Sequence, residues 1–174
     1  MRLKDTVIIG MLGALLVAVQ VGLAFLPNIE LVSLLIIVFT RILGKKTLYI
    51  ISIFVLLEGF LYGFGIWWIN YLYIWFILYL LASFLGKKED TVLKAALLSG
   101  FYGIFFGALC AIPYVFFVRY YGAAQSSFQN ALAYWISGIP FDITHGIGNF
   151  ALALFLYRPL TNVLKRLVTS YYAA

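Results

Sequence analysis

The placement of the basic residues constrains this chain more than any other feature. Arg2, Lys4, Arg41, Lys45, Lys46, Lys87, Lys88, Lys94, Arg158, Lys165 and Arg166 fall at the N-terminus, in every second break between long apolar stretches, or near the C-terminus, and only Arg119 falls in an alternate break. Lys and Arg are retained in the cytoplasm during membrane insertion, so this alternation predicts an integral membrane protein with an even number of spans and both ends inside. Eleven bases against Asp5, Glu89 and Asp90 give the inner side +8, and Arg119 against Glu30, Glu58 and Asp142 gives the outer side −2, which together make up the chain's +6.

At 65% hydrophobic and 10% charged, the 174 residues have too little polar surface for a water-soluble domain and read as one membrane domain over 1–174. The basic pI is accounted for by topology, and no basic patch interleaves with exposed aromatics, so nucleic acid is not an expected partner. Cys110 is the single cysteine, which excludes an intramolecular disulfide and a thiolate metal cluster. The basic start and the apolar run after it resemble a signal peptide, but the run lasts about 20 residues without an A-x-A cleavage site and reads as a first spanning helix.

Continuous apolar runs predict an all-α bundle of six transmembrane helices, because an open sheet leaves backbone groups unsatisfied in lipid and a small barrel would show alternation. The expected spans are 6–26, 30–43, 47–62, 70–85, 92–118 and 141–157. The second is short for a spanning helix, which predicts that its outer end lies among other helices. Gly63-Phe64-Gly65 ends the third, and Gly138-Ile139-Pro140 is expected to break the chain before the sixth. Residues 128–136 read as a short helix lying at or re-entering the interface.

Three groups of polar residues stand out on the outer side. Glu58 lies inside an apolar span, where an acid costs several kcal/mol unless it faces a polar interior; it fits either a hydrogen bond to a neighbouring helix or a ligand contact. Asp142, His145 and Asn149 share one face of the last helix at spacings of three and four, with Asp142 expected near the helix N-terminus. Capping explains Asp142 as readily as a ligand does, Asn149 fits interhelical contact, and a lone histidine does not make a metal site. The third group is a collection of aromatics and amides: Trp67, Trp68, Asn70, Tyr71, Tyr73 and Trp75, then Tyr114, Tyr120, Tyr121, Gln125, Gln129, Asn130, Tyr134 and Trp135. An interfacial belt explains many of them. All four tryptophans lie on the outer half, however, which favours an aromatic cavity as well. Asn28 and Glu30 add polar groups at the mouth of the second helix.

Motifs for catalysis are lacking: the chain has no G-x-S-x-G, H-E-x-x-H or phosphate-cradling G-x-x-x-x-G-K. An enzyme would have to use Asp142 and His145 as an acid/base pair. A channel would need a polar stripe through the full depth, whereas the polar residues stop in the outer half. The residues therefore predict an outward-facing binding site closed toward the cytoplasm. On the first helix Gly10, Gly13, Ala14 and Ala18 make a small-residue face, suited to close packing within the bundle or to docking another membrane subunit.

With A-x-x-x-A at Ala14 to Ala18, Ile139-Pro140-Phe141-Asp142 opening the last helix and Tyr157-Arg158-Pro159-Leu160 ending it, the chain resembles the substrate-binding S components of energy-coupling factor (ECF) vitamin transporters. The resemblance implies a multi-pass subunit of the bacterial plasma membrane that binds a vitamin from outside. It also implies docking, through Gly10, Ala14 and Ala18, on a transmembrane coupling protein driven by two cytoplasmic ATPases. ATP would be used by those partners, with no cofactor in this chain. Leu26-Pro27-Asn28-Ile29-Glu30-Leu31-Val32 and Ile139-Pro140-Phe141-Asp142-Ile143-Thr144-His145-Gly146 resemble the cobalamin branch; queuosine precursors, nucleosides and pantothenate are the alternative ligands. Contacts to the ligand are expected from Glu30, Glu58, Asn70, Tyr114, Tyr134, Trp135, Asp142, His145 and Asn149.

Overall fold

A computed structural model describes residues 2–86, 91–117 and 127–173. Lys87, Lys88, Glu89, Asp90, Arg119, Tyr120, Tyr121 and Gln125, which entered the sequence reading, lie outside the described residues. The described chain is all-helical: α1 (Leu3–Gly22), α2 (Val32–Leu43), α3 (Lys46–Tyr62), α4 (Ile66–Leu85), α5 (Val92–Ile104), α6 (Phe106–Cys110), α7 (Ile112–Phe117) and α8 (Ser127–Ala173). Three helices, α1, α4 and α8, are long and apolar enough to cross a membrane, and the bent pair Val92–Ile104 and Phe106–Phe116, counted as one span, brings the number to four. Met11, Phe25, Phe60, Phe84, Phe116 and Phe155 are each at least 67% exposed. Large apolar side chains turned outward all round the bundle are what a hydrocarbon surrounding requires, and the fold is that of a membrane protein.

The centre is α2. Residues 32–40 are all buried, as expected of a helix that is apolar on every side. At 12 residues it is about 18 Å long, against a hydrocarbon core of roughly 30 Å, and its neighbours α1, α3, α4, α5 and α8 enclose it. Its two ends differ in chemistry. Glu30 stands before its first turn, and Arg41 in its last turn donates through Nη1 to the Ala82 carbonyl of α4 at 2.5 Å.

A second polar cluster fixes the basic ends of three helices together. Asp5 Oδ1 in α1 accepts from Lys46 Nζ in α3 at 2.7 Å and from the Tyr172 hydroxyl in α8 at 2.5 Å. Two of the charges that the sequence assigns to one side of the membrane, Asp5 and Lys46, are thus paired at one end of the bundle.

Two helices depart from expectation. The run expected to form one helix over 92–118 is bent by 45° at Phe105. Pro113 has no amide hydrogen, so the Leu109 carbonyl one turn back lacks its helical donor, and the Tyr73 hydroxyl of α4 supplies one at 2.6 Å. Gly107, in the first turn after the bend, gives its amide to Asp142 Oδ1 at 2.9 Å. The opposite correction applies to the last segment. Gly138-Ile139-Pro140 does not break the chain; α8 runs through Pro140 and Pro159 for 47 residues, about 70 Å, and absorbs both the short helix expected at 128–136 and the span expected at 141–157. Pro140 lacks the N–H that would serve the Ile136 carbonyl, so one helical hydrogen bond is lost, and the Thr144 hydroxyl adds a bond to the Pro140 carbonyl at 3.1 Å. The packing of α8 along α5 fixes its course.

That packing is close because of glycine. A Cβ on Gly103 would lie 2.9 Å from Gly146 Cα, and one on Gly146 would lie 2.9 Å from the Gly100 carbonyl oxygen. The two backbones are therefore in contact, an arrangement in which van der Waals attraction holds helices together in lipid. On α1 the glycine that packs is Gly13, whose Cβ would lie 2.7 Å from the Ile53 side chain. Gly10 has open space beside it, and Ala14 and Ala18 are exposed.

Candidate functional site

The site is built around Glu30. The chain leaves α1 at Gly22 and turns back through residues 23–31, with Asn28 in the left-handed region at φ 60°. Asparagine tolerates that conformation better than other residues with a side chain, and the turn aims Glu30 inward. Glu30 Oε2 accepts the Ser33 amide at 2.8 Å, capping the first turn of α2. Glu30 Oε1 accepts from Asn149 Nδ2 at 2.8 Å and lies 3.2 Å from His145 Nε2. One carboxylate thus joins the start of α2 to the middle of α8. Residues 145 and 149 reach it together because four residues complete about one helical turn.

A cavity of about 310 Å³ opens beside this carboxylate. Its polar wall is Glu30, His145, Gln20 and Asn28, and its aromatic wall is Tyr71, Trp75 and Phe106. The rings form a continuous series: Tyr71 and Trp75 meet edge to face with centroids 5.3 Å apart, Trp75 meets Phe106 at 5.7 Å, and Phe106 meets the His145 ring at 4.9 Å. A concave site with an aromatic body and a few convergent polar groups is the usual form of a small-molecule pocket. Two polar atoms of its walls are buried without a protein partner, Gln20 Oε1 and the indole Nε1 of Trp75. The larger groove of about 920 Å³ between α4 and α5 is lined by Ile77, Leu81, Phe84, Leu97, Phe101 and other apolar groups, with nothing but Lys94 and Tyr102 to orient a ligand, and the Tyr102 hydroxyl is already bound to the Ile74 carbonyl.

Of the residues expected at a site, Glu30 and His145 line the cavity, and Asn149 supports Glu30 from behind. Asp142 is buried but serves elsewhere. It lies 15 residues inside α8, so it caps no N-terminus of its own helix and instead binds Gly107 across the bend. Glu58 is 2% exposed on α3, with Oε1 unpartnered, and is not part of the cavity wall. Asn70 is 3.0 Å from the Tyr73 hydroxyl, and Tyr114 stacks on Tyr134 with centroids 4.2 Å apart. Neither these residues nor Trp135 line the cavity. Among the described residues no three His, Cys, Asp or Glu side chains converge on a common point.

Gln20 and Phe106 were not anticipated. An amide near the end of an otherwise apolar α1 was the available signal for Gln20; Phe106 is brought to the cavity by the bend, which apolar patterning does not reveal. No protein-family profile, curated protein or solved structure matches the chain.

Proposed function

We propose that this chain is the substrate-binding S component of an ECF-type importer in the bacterial plasma membrane. On this reading it has six spans with both ends cytoplasmic, takes up a small ligand from outside in the Glu30 cavity, and delivers it through a transmembrane coupling protein. Two partner ATPases supply the energy. The observation that carries the reading is the cavity itself, a partly exposed carboxylate against an aromatic wall at the end of α2 remote from Arg41. Ala14 and Ala18 add support, since a stripe of small residues left uncovered by the chain's own helices suits close approach by another membrane helix.

The cavity volume, near the lower end of the roughly 300–1,000 Å³ typical of small-molecule sites, supports a ligand smaller than cobalamin. A queuosine precursor, a nucleoside or another compact micronutrient fits that volume better. An intramembrane enzyme built on Asp142 and His145 draws no support from their contacts, since each is engaged with a different partner. The test is co-expression with the coupling protein and ATPases of an ECF module. The four subunits are expected to co-purify, and Ala14→Trp or Ala18→Trp is expected to abolish the complex while the isolated chain keeps its melting temperature. Failure of the native chain to join any such module would overturn the reading.

A further inference from the structure

We infer that the Glu30 cavity takes an amino-substituted nitrogen heterocycle, neutral or cationic and free of acidic groups, a proposal that rests on the binding-subunit reading and names its substrate class. Three features of the cavity lead to this class. The first is charge: the polar wall holds the Glu30 carboxylate, and among the described residues no Lys or Arg lines it. A ligand carboxylate or phosphate would meet an acid, and the one group of the wall able to carry positive charge, His145, already lies against that acid at 3.2 Å, so anions are disfavoured and positive charge or N–H donors are favoured.

The second feature is the pattern of unused hydrogen-bonding capacity. A carboxylate accepts at about four positions, and the Ser33, His145 and Asn149 groups take three of those on Glu30. Gln20 Oε1 is a further buried acceptor without a partner, and Trp75 Nε1 is a buried donor without one. A buried polar group left unsatisfied calls for an explanation, and a bound molecule is one that supplies it. An exocyclic amine supplies donors of the kind that the remaining position on Glu30 accepts, and a ring nitrogen supplies an acceptor of the kind that an indole N–H serves. The third feature is the wall of Tyr71, Trp75 and Phe106, which offers ring faces and edges to a planar heterocycle and attracts positive charge. A volume of about 310 Å³ suits a compound of that size.

The proposal is tested with the purified full chain in detergent by thermal shift and calorimetric titration. The probes are thiamine, adenine, purine, pantothenate and biotin, since a compound that binds only the folded form raises its melting temperature. Thiamine or adenine is expected to stabilise the chain and the two acids are not. Purine, which is adenine without its amine, is expected to bind more weakly by roughly tenfold or more, the usual loss when a hydrogen bond to a charged group is removed. Glu30→Gln and Trp75→Phe are expected to weaken the same binding by a similar factor. Stabilisation chiefly by pantothenate or biotin, equal binding of adenine and purine, or no response to any probe overturns the proposed class. The comparison of adenine with purine uses the native chain, so it holds even where a variant does not fold. Assembly with an energising module is measured separately and fails or succeeds independently of these outcomes.

Discussion

Glu30 is a structural residue whatever it binds, because its two oxygens hold α2 and α8 in register. Glu30→Ala leaves the Ser33 amide and the Asn149 amide without their acceptor in a buried place, and should lower stability by about 3 kcal/mol, the usual cost of removing one partner of a buried charged contact. Thermal unfolding in detergent measures this. Glu58 presents the opposite case. Its side chain is 2% exposed and Oε1 has no partner, so Glu58→Gln, which keeps the shape and removes the charge, is expected to raise the melting temperature. A fall would mean that the carboxylate has a partner that the fold alone does not supply. At this scale the sequence was informative about which residues are unusual and uninformative about their partners. His145 and Asn149 share a helical face by simple periodicity, and so does Asp142, yet only the first two meet Glu30, because the approach of the α5 bend claims Asp142 for Gly107.

The same contrast between spacing and surroundings governs the helices. Small residues on α1 and on α5 have similar sequence signatures, but Gly103 is pressed against the backbone of α8 while Gly10 has free space. Gly103→Ala should therefore force α5 and α8 apart and cost about 1–3 kcal/mol, as overpacking usually does. Gly10→Ala should be neutral or add about 0.5–1 kcal/mol through helix propensity. Paired unfolding measurements distinguish the two, and equal effects would contradict the packing described for α5 and α8. The apolar runs made helix existence readable from the sequence, since each run of α1, α4 and α8 has the length and composition that lipid demands. Helix continuity was not readable. Pro140 looks like a stop and is spanned, whereas Phe105 looks like mid-helix and is a bend. In both cases the decision rests with distant groups, the glycine contact of α8 with α5 and the Tyr73 and Asp142 side chains, which stand far from the bend in sequence.

For the whole molecule, orientation is the property on which outward capture depends. Asp5, Lys46 and Tyr172 meet at one end of the bundle, and the turn between α3 and α4, with Phe64 56% exposed, joins the ends of those helices remote from Lys46. Six spans with cytoplasmic termini put Lys45 and Lys165 on one side of the membrane and Phe64 on the other. In a Cys110→Ala background, chosen because Cys110 is the chain's single cysteine, the variants Lys45→Cys, Phe64→Cys and Lys165→Cys can be labelled in intact cells with a membrane-impermeant thiol reagent. Phe64→Cys should react before lysis, and Lys45→Cys and Lys165→Cys only after it. Reaction of all three from outside, or of Lys165→Cys alone, would remove the even-span topology. Reaction of Lys45→Cys and Lys165→Cys before lysis, with Phe64→Cys protected until after it, would instead invert the bundle and turn the Glu30 cavity, which sits at the end of α2 opposite Arg41, toward the cytoplasm.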